Sequence, residues 1–182
     1  MTPASWVTLA RAALAAGVAA LAPSSSDPAL LVALATVALA LDAVDGWVAR
    51  RTRTVSALGA RFDMEVDAFL VLVLSVHVAV LVTPCALVIG AMRYGFVVAS
   101  WLMPWLSGSL PTRYAAKVVA AAQGIVLVVA SAHLLAPQIA TALVVAALAA
   151  LLWSFGKSVM WLWRARAVHA AVAPRLGWAP VR

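Results

Sequence analysis

The chain has 182 residues, of which 66% are hydrophobic and 10% charged, with a mean hydropathy of +1.06. That balance excludes a soluble domain of this length and points to one polytopic, all-α membrane domain. The net charge of +7 reads as membrane topology and attraction to anionic lipid rather than nucleic-acid binding, and the single Cys85 excludes an internal disulfide and a multi-cysteine metal site.

A bilayer core of roughly 30 Å needs about 20 helical residues, and six runs meet that length: 4–22, 29–50, 57–82, 85–103, 113–136 and 138–163. The first run lacks the basic start and cleavage site of a removable signal and is expected to be retained. Turn chemistry separates the runs: Pro23 to Pro28 with its serines, Thr83-Pro84, Pro104 to Pro111, and Pro137. The breaks at 23–28, 83–84 and 137 carry no Lys or Arg, whereas Arg50, Arg51, Arg53, Arg61, Arg113, Lys117, Arg164, Arg166, Arg175 and Arg182 fall at the opposite ends of the runs. Both termini are therefore expected in the cytoplasm, which an even number of spans also requires. Trp101, Trp105, Trp161 and Trp163 then lie at the cytoplasmic interface, where indoles anchor. The expected division is a six-helix transmembrane domain over 1–163 and a basic cytoplasmic tail over 164–182.

Five of the six acidic residues lie between Asp42 and Asp67. On a helix, Asp42, Asp45, Gly46, Ala49 and Arg50 share a face about 140° wide. Gly59, Asp63 and Asp67 share a tighter face on the next helix, with Glu65 pointing roughly opposite and excluded. The two helices are antiparallel neighbours, so their acidic faces can meet about 6–15 Å below the cytoplasmic surface by helical rise. Four carboxylates at close range repel unless cations join them. All-oxygen ligation suits Mg²⁺, Mn²⁺ or Ca²⁺, and two ions shared by four carboxylates can clamp phosphates during a displacement. Small residues at Gly46 and Ala49 leave room for a bulky ligand, and Arg50 offers a fork for phosphate. The competing structural reading is a salt-bridge network with Arg50, Arg51, Arg53 and Arg61; intramembrane acids are by default functional, which favours the site.

The pattern Asp42-x2-Asp45-Gly46-x2-Ala49-Arg50, then eight residues, then Gly59-x3-Asp63-x3-Asp67, resembles the signature of the CDP-alcohol phosphotransferase (CDP-alcohol phosphatidyltransferase) family at every fixed position. The resemblance implies a six-helix membrane enzyme of phospholipid synthesis. Such an enzyme transfers a phosphatidyl group from a CDP-activated lipid, usually CDP-diacylglycerol, to a small alcohol with release of CMP. By that similarity, two divalent cations, Mg²⁺ or Mn²⁺, are held by Asp42, Asp45, Asp63 and Asp67, and Asp67 is also the base for the acceptor hydroxyl. Asp42, Gly46, Ala49, Arg50 and Gly59 would contact the nucleotide. Thr8 joins them through an Asn-x2-Thr-x2-Arg-like start in which Ser5 replaces the Asn. Homodimers are the family's habit.

Outside the motif, Arg11 reads equally as part of that start or as an interfacial residue with its head in the headgroups. Arg93 lies mid-helix, about 15 Å from the cytoplasmic end by helical rise, where an arginine facing lipid is costly. It is expected to face the cavity, pairing with Asp67 or gripping an anionic acceptor. Arg113 and Lys117 stand one turn apart and are expected to join it. These cations favour a phosphorylated acceptor such as glycerol 3-phosphate, with inositol phosphate or an unphosphorylated alcohol as the alternative. His77, His133 and His169 have no ligand spacing and read as structural. A divalent-cation transporter using the same acids is the reading from another class; no acidic residue continues such a path through the last three helices.

Overall fold

The structure is a computed structural model that describes residues 3–23, 28–52, 57–103 and 114–172, with side chains described over 9–23, 28–44, 62–99, 101–103 and 118–164. The helices are α1 (Pro3–Leu21), α2 (Pro28–Thr52), α3 (Ala57–Leu81), α4 (Ala86–Leu102), α5 (Tyr114–Ser131) and α6 (Pro137–Val172), with no strand among the described residues. Proline occupies the first position of α1, α2 and α6, where its fixed φ suits a helix and its missing N–H breaks no bond.

Two boundaries differ from the sequence reading. Helix α5 stops at Ser131 rather than at 136, because His133 takes a left-handed φ of 54° that reverses the chain before Pro137. Helix α6 runs on to Val172, so the expected division at 163 falls inside a helix. Arg164, Ala165 and Arg166 are good helix formers, and the first residue that breaks a helix is Pro174.

Helix α3 is the central element, packed against α1, α4 and α5, while α1 pairs with α2 and α5 with α6. Its buried stripe is Val66, Leu70, Leu74 and Val78, at the four-residue spacing of one helical face. The same core holds small and branched residues: Ala15 and Val18 of α1, Ala35 and Ala38 of α2, Ile89 of α4 and Leu127 of α5. Helix α4 approaches α3 closely at Gly90, where a Cβ would stand 2.8 Å from the Leu72 Cα. Small residues permit such backbone approach in the absence of a hydrophobic drive between apolar helices.

Buried polar groups tie helices together. The Gln123 amide donates to the Ala147 carbonyl at 3.0 Å across α5 and α6, and His77 on α3 holds the end of α1 through Nδ1, 3.2 Å from the Ala22 carbonyl. Ser75 and Ser131 return their hydroxyls to carbonyls of their own helices. The outer surface is apolar, with Val80, Leu134 and Trp153 exposed. Two described stretches are long and apolar enough to cross a membrane, Phe62–Leu81 in α3 and Pro137–Arg164 in α6.

Candidate active site

Three helices meet at one guanidinium. Arg11 on α1 is 1% exposed, on the same buried face as Ala15 and Val18. Its Nη2 lies 2.9 Å from Oδ1 of Asp42 on α2 and 3.4 Å from Oδ1 of Asp67 on α3. Its Nη1 contacts Oδ1 of Asp63, also on α3. Asp63 and Asp67 are one turn apart and share a face, as the spacing predicts. The carboxylates are half-exposed at 38%, 40% and 43%. The guanidinium thus reaches them from the packed side, and their other side is open.

Within this group three negative charges face one positive charge. Asp67 experiences repulsion from Asp42 and Asp63 and attraction from Arg11 and, more weakly, Arg93. Among the described residues, no three acidic, His or Cys side chains stand together at metal-ligand spacing; the carboxylates converge on the guanidinium instead. Their chemistry nonetheless suits a hard divalent cation: the donors are oxygens, excess negative charge is gathered at one place, and the exposed side leaves room for an ion.

Arg93 departs from expectation. Its Nη2 bonds Oε1 of Glu65 at 2.6 Å, so its ion-pair partner is Glu65 rather than Asp67. Helix α4 packs on the side of α3 that carries Glu65, while Asp63 and Asp67 look toward α1. Phasing correctly separated Glu65 from the other acids, but gave it no partner. Arg93 Nε is buried without a hydrogen-bond partner among the described residues.

Arg11 is the residue the sequence reading undervalued. A usable signal existed: it falls in register with Ala15 and Val18, the small-residue face of its helix, and a cluster of acids requires a cation within reach. The remaining expected residues are only partly described. Helix α1 is helical through Thr8, α2 through Asp45, Gly46, Ala49 and Arg50, α3 through Gly59 and α5 through Lys117. The side chains at these positions lie outside the described residues, and so does the whole of Arg113.

A comparison with curated proteins finds no match. The family model described as CDP-alcohol phosphatidyltransferase matches residues 1–169. Members of that family are integral membrane transferases that move a phosphatidyl group from a CDP-alcohol to an acceptor and are generally dependent on divalent cations. The match takes in all five helices from α1 to α5 and nearly all of α6, so the chain belongs to the CDP-alcohol phosphatidyltransferase family.

Proposed function

We propose that this protein transfers a phosphatidyl group from CDP-diacylglycerol to the hydroxyl of a small phosphorylated alcohol, with glycerol 3-phosphate first in order and inositol phosphate second. The observation that carries the reading is the convergence of Asp42, Asp63 and Asp67 from two helices on one buried point. With Asp45 one turn from Asp42, these carboxylates are the proposed holders of two divalent cations, Mg²⁺ or Mn²⁺. Bound there, the cations would neutralise the donor pyrophosphate and stabilise the leaving CMP.

The chain's own residues do the rest. Thr8, Asp42, Gly46, Ala49, Arg50 and Gly59 hold the cytidine diphosphate. Asp67 takes the proton of the acceptor hydroxyl. The acceptor oxygen bonds the phosphatidyl phosphorus as the phosphorus–oxygen bond to CMP breaks. Arg93, Arg113 and Lys117 bind the acceptor phosphate. Arg93 is suited to this because it is already held near Asp67 by an exposed carboxylate, Glu65, which an incoming phosphate can replace. In this reading all six helices cross the membrane with both termini cytoplasmic. The site opens to the cytoplasm, and the enzyme assembles as a homodimer. The basic residues at the cytoplasmic ends of the helices support that orientation.

The test is CMP release by the purified protein with CDP-diacylglycerol and Mg²⁺ or Mn²⁺, across glycerol 3-phosphate, inositol phosphate, inositol, serine and glycerol. Release with a phosphorylated acceptor supports the proposal. Release only with an unphosphorylated alcohol reassigns the acceptor, and no release with any of them refutes the reading.

A further inference from the structure

Among the described residues, Arg11 of α1 pairs with three carboxylates that come from two other helices. Burying an arginine is costly unless it is paired, and burying it among acids removes part of their mutual repulsion. Arg11 is almost fully enclosed, whereas Asp42, Asp63 and Asp67 each keep about two-fifths of their surface open. The guanidinium is therefore the floor of the cluster and an ion from solution would enter from the opposite side. Each carboxylate meets Arg11 through Oδ1.

We infer that Arg11 is a positioning residue: a resident counter-cation that assembles Asp42, Asp63 and Asp67 across α1, α2 and α3 before any divalent ion binds. It acts through the acids it holds, Asp67 among them. Without it the carboxylates repel, and the ends of α2 and α3 at the site separate. A divalent ion can then supply the missing charge, so metal binding and stability become strongly coupled. In the wild-type protein that coupling is weaker, because the acids are already gathered. The inference rests on the reading that these acids are the metal site.

The experiment compares thermal unfolding of purified full-length wild type, Arg11→Met, Arg11→Lys, Asp63→Asn and Arg11→Met/Asp63→Asn, each in EDTA and in saturating Mn²⁺. In EDTA, Arg11→Met should lower Tm by roughly 5 °C or more, with Arg11→Lys retaining part of the difference. Asp63→Asn, which removes one negative charge, should raise Tm in the Arg11→Met background by clearly more than it changes the wild type. Mn²⁺ should raise the Tm of Arg11→Met by more than that of wild type. Equal effects of Asp63→Asn in both backgrounds, or an Arg11→Met protein as stable as wild type in EDTA, overturn the inference. If Arg11→Met does not fold, recovery of folded protein by the added Asp63→Asn supports it. If the double variant also fails, a stable Arg11→Lys keeps the requirement for a cation and an unstable one removes it. Mn²⁺ that shifts no variant refutes the metal site, while the EDTA comparisons still decide the role of Arg11.

Discussion

The Arg93 guanidinium on α4 bonds the Glu65 carboxylate on α3 at 2.6 Å, two residues along the helix from Asp67 but on a different face. Arg93 is partly exposed at 37% and Glu65 exposed at 57%, so the carboxylate side of the pair is open to exchange for another anion. That exchange is what an acceptor phosphate requires. Arg93→Ala should raise the acceptor KM roughly 10- to 100-fold, the loss of a charged hydrogen bond, with the donor KM little changed. Glu65→Gln should lower the acceptor KM by freeing Arg93. An acceptor KM that ignores both substitutions takes Arg93 out of the acceptor site.

Asp67 is the proposed base and one of the acids gathered by Arg11. Asp67→Asn keeps its size and removes proton acceptance. Turnover should fall by about 10²–10⁴-fold, while binding of CDP-diacylglycerol, measured without acceptor, persists within a few-fold. Donor binding lost in parallel with turnover would make Asp67 chiefly a metal ligand.

Chelation should abolish CMP release, and Mg²⁺ or Mn²⁺ should restore it. Asp42→Asn and Asp63→Asn should both shift the metal concentration needed for half-maximal rate upward, because each removes an anionic oxygen donor. The measurement is a Mn²⁺ titration of initial rate at saturating donor and acceptor. Unchanged metal dependence in both variants would falsify the assignment of these acids as ligands.

Gly90 lets α4 lie against α3 at Leu72. Gly90→Val has no space for its side chain at that crossing and should destabilise the fold by about 1–3 kcal/mol, read as a lower Tm in detergent. Gly95 on the same helix meets nothing within 4 Å, so Gly95→Ala should leave Tm nearly unchanged. Equal effects at the two glycines would argue against the close crossing.

Long apolar runs, separated by proline-containing turns at most breaks and by Arg51 and Arg53 between α2 and α3, made the six helices legible in the sequence, because both run length and break are marked by composition. The i, i+4 spacing likewise put Asp63 and Asp67 together and Glu65 apart, since helical phase is local geometry. The end of α5 was not legible, because Ala132 to Ala136 is as apolar as the helix before it and the reversal depends on the backbone angle of His133.

The assignment of cations to acids was decided by tertiary structure. The sequence places Arg11 and Arg93 on separate apolar helices, each able to reach helix α3, and says nothing of which side of α3 each helix covers. Packing puts α1 against the Asp63–Asp67 face and α4 against the Glu65 face. Arg11 is thereby buried among the acids and Arg93 left at the rim. A charge pair needs only a few ångströms of proximity, and between helices that proximity is set by which faces pack rather than by distance along the chain.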